Sequence, residues 1–127
     1  MDALESGPSY DHAVRIYNVT FDARDPCALA TFWSAVVDRP VSDGANEFFA
    51  TIDRTVAEPA LLFVRVPEQK TVKNRVHLDL DCDDLEVARQ RRASLGASFL
   101  HENDEFCLRW MTFQDPEGNE FCVAAHV

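Results

Sequence analysis

Basic residues are scarce in this chain of 127, where 12 Lys and Arg stand against 22 Asp and Glu for a formal net charge of −10. A nucleic-acid surface needs a basic stripe, so that partner is excluded first. The acid excess serves solubility and is compatible with a cationic ligand. No apolar run reaches membrane-spanning length, and the first dozen residues are acidic, contain Gly7-Pro8 and lack the apolar centre of a secretory leader. The four cysteines, Cys27, Cys82, Cys107 and Cys122, form neither a CxxC pair nor a zinc-ribbon spacing. Three of them fall inside strand or helix patterns, where a free thiol behaves as a small buried apolar group. Nucleophile-elbow, P-loop and dinucleotide fingerprints are missing as well. The expectation is a cytoplasmic protein of a reducing compartment, with no membrane among its partners.

Apolar content is ample, at 46% with nine Phe, which supports one globular domain with its own core. Residues 1–12 lack periodicity and read as a loose lead-in. Val14–Asp22 reads as a strand, with Tyr17, Val19 and Phe21 on one face and Ile16, Asn18 and Thr20 on the other. Asp25-Pro26 supplies a cap and a first-turn proline for a helix over Ala28–Val37, in which Leu29, Phe32, Trp33 and Val36 recur at helical spacing. Glu47–Ile52 and Leu61–Val66 are two further strands, and residues 68–73 form a polar connector.

The second half has the same order. Arg75–Cys82 alternates, with Val76, Leu78, Leu80 and Cys82 on an apolar face and Arg75, His77, Asp79 and Asp81 on a polar one. Asp83-Asp84 caps a helix over Leu85–Leu95, with Gly96 just past its end. Its arginines, Arg89, Arg91 and Arg92, are expected for the most part to face solvent. Strands near Ala97–His101 and Phe106–Phe113, a turn at Asp115–Asn119 and a last strand at Glu120–Ala125 follow. A constant offset of 59 residues lays Asn18 on His77, Val19 on Leu78, Phe21 on Leu80, Leu62 on Phe121 and Phe63 on Cys122. Such a repeat indicates an α+β fold of two tandem βαβββ modules, residues 13–67 and 74–127.

Phe32-Trp33, the run Asn74-Arg75-Val76-His77-Leu78-Asp79-Leu80, and Trp110 followed by Asp115-Pro116-Glu117-Gly118-Asn119-Glu120-Phe121-Cys122-Val123 resemble a glyoxalase-like branch of the vicinal oxygen chelate superfamily. That superfamily includes glyoxalase I, extradiol dioxygenases, and the bleomycin and fosfomycin resistance proteins. The resemblance implies mixed sheets curled around a shared cavity, a homodimer, and a small organic molecule as partner. It also implies a metal held by residues of the first and last strands of each module, which by position are Asn18, Phe63, His77 and Cys122.

The chemistry at those positions departs from the family's. A hard divalent ion takes His or Gln, His and Glu, whereas Asn18 is a weak neutral donor, Phe63 has none and Cys122 stands where Glu is usual. Only His77 matches. Asn18, His77 and Cys122 would suit a softer ion such as zinc, if any. Asp79 and Glu120 lie two residues along from His77 and Cys122, about 6.6 Å, too far to replace a ligand without moving the site. No metal or other cofactor is therefore expected, and His77 is the one catalytic candidate, as a general acid or base. A Cys122–His77 nucleophile pair requires a contact that spacing does not supply. The expected cavity residues are Asn18, Thr20, Phe63, Arg65, His77, Asp79, Trp110, Glu120 and Cys122, with aromatic walls and a few polar groups suited to a small ligand. His101 and His126 read as surface residues. The expected function is small-molecule binding of the bleomycin-resistance type with a degenerate metal site. The alternatives are a lyase, isomerase or dioxygenase-type enzyme, and a non-catalytic interaction domain.

Overall fold

The computed structural model describes residues 13–105 and 108–125; the lead-in 1–12, Phe106, Cys107 and His126 lie outside the described residues. In chain order the elements are β1 (Asn18–Ala23), α1 (Pro26–Val37), β2 (Phe49–Ile52), β3 (Ala60–Arg65), β4 (Leu78–Cys82), α2 (Leu85–Ser94), β5 (Ser98–Glu105), β6 (Leu108–Gln114) and β7 (Glu120–Ala125). The helices start where local chemistry dictates. Asp25 accepts the N–H of Ala28 ahead of Pro26, and Asp84 accepts those of Glu86 and Val87. α1 stops at Asp38 in the left-handed region (φ 57°), and Gly96 (φ 103°) takes that conformation after α2.

Two sheets result, with strand orders β1-β3-β2 and β4-β7-β6-β5. In each, the first strand of the half runs parallel to its last, and the other pairings are antiparallel. The missing strand of the first sheet survives as a single bridge, Val41 to Ile52. The α+β repeat is thus present, with its first copy trimmed.

β1 and β4 are shorter than their alternation suggests. β1 begins at Asn18, opposite Ala60, where its partner strand β3 begins. Upstream residues have no ladder to join, so Val14, Ile16 and Tyr17 are exposed. β4 begins at Leu78, and Val76 is likewise exposed. Of the three arginines of α2, Arg89 and Arg91 are exposed as expected and Arg92 is not. Arg92 is buried with Leu85 and Ala88 on the inner side of α2, at spacings of three and four residues, while Arg89 lies over the Phe99 ring at 4.3 Å.

One core joins both halves. Trp33 packs against Phe21 and Phe32 of its own half and against Phe121 of the other, at 5.3, 5.6 and 4.9 Å between ring centroids. Its indole Nε1 donates to Asp115 Oδ2 at 3.0 Å in a buried bond. Asp115 Oδ1 takes the backbone N–H groups of Glu117 and Asn119, and the Asn119 amide donates to both carboxylate oxygens. Glu117 reaches back across the halves, accepting the N–H groups of Arg24 and Asp25 at 2.7 and 2.8 Å. The β6–β7 turn is therefore docked on the start of α1.

Asp115→Ala would leave the Trp33 N–H and the turn donors unpaired in a dry setting. A loss of about 3 kcal/mol is expected in urea unfolding, against about 1 kcal/mol for an exposed acid such as Asp104. Equal losses at both sites would show that the buried tie does not hold the halves together.

Candidate functional site

The pleat decides which side chains are available for chemistry. On β7, Phe121 and Val123 point into the core, so Glu120, Cys122 and Ala124 point to the other face. Asp79 lies directly across from Cys122 in the β4–β7 ladder, and Thr112 lies across from it on the β6 side. His77 precedes β4 and shares the face of Asp79. Its Nδ1 lies 3.2 Å from Asp79 Oδ1. The Thr112 hydroxyl is 3.4 Å from the Cys122 sulfur. Among the described residues, His77, Asp79 and Cys122 form one group of potential metal donors, with ligand atoms all within 4.8 Å of one another.

The first sheet offers no matching group. Val19 pairs with Leu61 and Phe21 with Phe63, just as Leu78 pairs with Phe121. Val19 to Leu78 is a step of 59 residues, but Leu61 to Phe121 is a step of 60. The ungapped repeat is therefore wrong by one residue on the last strand of the module, and a one-residue slip exchanges the faces. Phe63 accordingly belongs to the core, fully buried and stacked on Phe21 with centroids 5.0 Å apart. The residue in the place of Cys122 is Leu62, across from Thr20. Asn18 is tied to the Thr20 hydroxyl at 2.9 Å and borders a separate small hollow with Tyr17, Arg54 and Leu62. Arg65 is exposed at the end of β3 and lines neither hollow. Neither does Trp110, although it stands on the Cys122 face, paired with Ala124. The family's four-position ligand set, drawn from both modules, does not fit this chain.

A groove of about 490 Å³ runs between β1 and β4 beneath the connector. Val19, Phe21, Leu78 and Phe121 give it apolar surface, and a larger set of polar side chains, among them Thr20, Lys70, His77 and Glu120, lines the rest. Glu120 fixes its rim, receiving the Asn74 N–H at 3.0 Å and the Lys70 ammonium at 3.2 Å, while the Asn74 amide donates to the Glu120 carbonyl. Burial alone would raise the Glu120 pKa. The N–H groups of Asn74 and Glu120 and the Lys70 charge outweigh it and hold the carboxyl below its ordinary value.

Sequence reasoning missed Thr112, Lys70 and Asn74. Asn74 carried a signal, since it opens the run that marks the family. A register shift between Phe99 and His101 in β5 also brings His101 onto the row of Thr112 and Cys122. No alternation count predicts that turn of face.

Two sheets with first-to-last parallel pairing, each backed by one helix, define a class of paired-module proteins. Residues 18–124 match the sequence profile of the glyoxalase-like domain family, and the chain belongs to that family. Solved structures of similar fold include a glyoxalase/bleomycin resistance protein/dioxygenase family enzyme from Burkholderia phytofirmans PsJN. It has 17% identity and a TM-score of 0.73, over 90% of this chain and 100% of that one. The fosfomycin resistance protein FosX from Mesorhizobium loti has 15% identity and a TM-score of 0.68, over 90% and 92% of the two chains. A lactoylglutathione lyase from Agrobacterium tumefaciens has 16% identity and a TM-score of 0.65, over 89% and 94%. At these identities the likeness is one of fold. No curated protein sequence matches the chain.

The depressed carboxyl generates a pH test. Glu120 contributes stability that is complete above the unfolded value near 4.5 and is lost as pH falls through its lower folded value. Glu120→Gln should cost about 1–2 kcal/mol in urea unfolding at pH 6, with the difference shrinking by pH 3. A cost that is the same at both pH values would remove the charge from the explanation.

Proposed function

We propose that this protein binds a small organic molecule in the groove between β1 and β4. The observation that carries the reading is a groove of about 490 Å³ in which apolar side chains of both halves, Val19, Phe21, Trp33, Leu78 and Phe121, lie beside polar ones that include Thr20, Lys70, His77 and Glu120. Its size falls within the usual range for small-molecule sites, and its polar rim suits a ligand with charged or hydrogen-bonding groups at one end. Binding without the family's bridging metal is supported by the first module, whose counterpart positions hold Asn18 and Leu62. The fosfomycin resistance protein of similar fold lends the class of ligand, a small organic compound. A second reading, His77 as general acid or base in a lyase- or isomerase-type reaction, is favoured by its contact with Asp79. A carboxylate at Nδ1 fixes the tautomer and leaves Nε2 for proton transfer. The free thiols Cys27, Cys82 and Cys122 suit a reducing, cytoplasmic setting. Homodimerisation is supported by exposed apolar surface at Phe48 and Phe49.

A thermal-shift screen of small organic compounds, run with a chelator present, tests the reading. A ligand at about a hundred times its Kd should stabilise the protein by about 2.7 kcal/mol and raise Tm by several degrees. Thr20→Trp, which fills the groove from an exposed wall position, should abolish the rise, and His77→Ala should weaken binding about tenfold. Hits indifferent to Thr20→Trp, or no hit at all, would sink the groove as a ligand site.

A further inference from the structure

The groove is built from rigid walls and one weakly held side. Val19, Phe21, Trp33, Leu78 and Phe121 belong to strands and a helix joined in one core, whereas Val66 and most of residues 68–76 close the remaining side. Two bonds anchor this connector at its ends. The Val66 N–H donates to the Ala23 carbonyl at 2.8 Å, and the Asn74 N–H donates to Glu120 Oε1 at 3.0 Å. Between them, among the described residues, no main-chain to main-chain hydrogen bond holds residues 67–73. Val72, Lys73, Arg75 and Val76 are exposed, so little apolar burial holds the segment down. Closure therefore depends on Glu120, whose carboxylate takes the Asn74 N–H and the Lys70 ammonium and whose carbonyl takes the Asn74 amide. Glu120 is itself fixed. It opens β7 between the buried Phe121 and Asn119, which Asp115 anchors.

We infer that residues 67–76 are a strap over the groove, latched by Glu120, and that a small molecule enters the groove by release of this latch. Opening breaks the contacts of Lys70 and Asn74 with one residue and leaves both sheets intact, so it is a local event that costs less than global unfolding. Segments of this kind govern how fast a ligand enters and leaves. Asn74 also stands three residues before His77, so the same latch sets the course of the chain into that imidazole. The role in entry rests on the groove being the binding site; the strap and its latch do not.

The experiment is amide hydrogen exchange on the purified full chain, resolved residue by residue by NMR. In the unaltered protein the Asn74 amide should exchange through a local opening insensitive to about 1 M urea, unlike the amides of Phe121 and Val123. Glu120→Ala should speed Asn74 exchange at least about tenfold and Lys70→Met about threefold, with tryptic cleavage after Lys73 rising in step. Asp104→Ala, which removes an exposed acid elsewhere, should change neither. Anilinonaphthalene sulfonate, a dye that brightens in apolar surroundings, reads the groove in stopped flow. Its association should be severalfold faster in Glu120→Ala, and Thr20→Trp should remove the signal. Asn74 exchange that is unchanged in Glu120→Ala, or that follows urea as Phe121 does, would overturn the strap. A dye association rate indifferent to Glu120→Ala would overturn the role in entry. An absent signal, or one indifferent to Thr20→Trp, would instead remove the groove reading on which that role rests, with exchange still deciding the strap.

Discussion

The buried carboxylate of Asp115 is the constraint on which the arrangement depends. A charge kept from water is tolerated only when its lone pairs are met, and here an indole, two backbone amides and a side-chain amide meet them. The donors come from both halves of the chain. Satisfying Asp115 therefore fixes α1 against the β6–β7 turn, and with it the angle at which the second sheet meets the first. Glu117 repeats the tie from the same turn by accepting the N–H groups at the start of α1. β7 leaves that turn directly, so the position of Cys122 is set three residues after an anchored Asn119. The site inherits its precision from a polar bond in the core.

Register is the second constraint. Core faces are strongly specified because burying Phe121 and Val123 leaves β7 no alternative pairing. The chemistry on the opposite face follows from that choice without being selected by it. Asp79 meets Cys122 because Leu78 meets Phe121. In the first sheet the same logic, one residue out of step with the repeat, places Leu62 where a donor would be needed and sends Phe63 into the core. The modules differ in the side chains of this face through a one-residue offset that leaves their core patterns alike.

Local signals in the sequence were legible, and relations between distant segments were less so. Asp25-Pro26, Asp84 and Gly96 read correctly because capping and left-handed conformations are decided within a few residues. The family-marking runs around Asn74 and Asp115 read correctly for fold. The starts of β1 and β4 did not, since β1 can begin only where β3 does, whereas β7 lies at Glu120–Ala125 as read. The solvent assignment of Arg92 failed because its long apolar stem packs with Leu85 and Ala88. The ungapped repeat misplaced Phe63, because alternation gives the two faces of a strand but not the register against a partner. The bulge that turns His101 toward the row of Cys122 is of the same kind.

Of the four positions that the family resemblance assigns to a metal, Asn18, Phe63, His77 and Cys122, His77 alone lines the groove. It stands just ahead of the β4 ladder, with groove surface on one side and the Asp79–Cys122 row on the other. An imidazole has two ring nitrogens, and here Nδ1 is the one beside the Asp79 carboxylate. A carboxylate that accepts from Nδ1 fixes the tautomer and leaves Nε2 as the acceptor on the other side of the ring. The contact is local, since His77 and Asp79 are two residues apart on one extended line, so the orientation of the ring is set by β4 and the residues that lead into it.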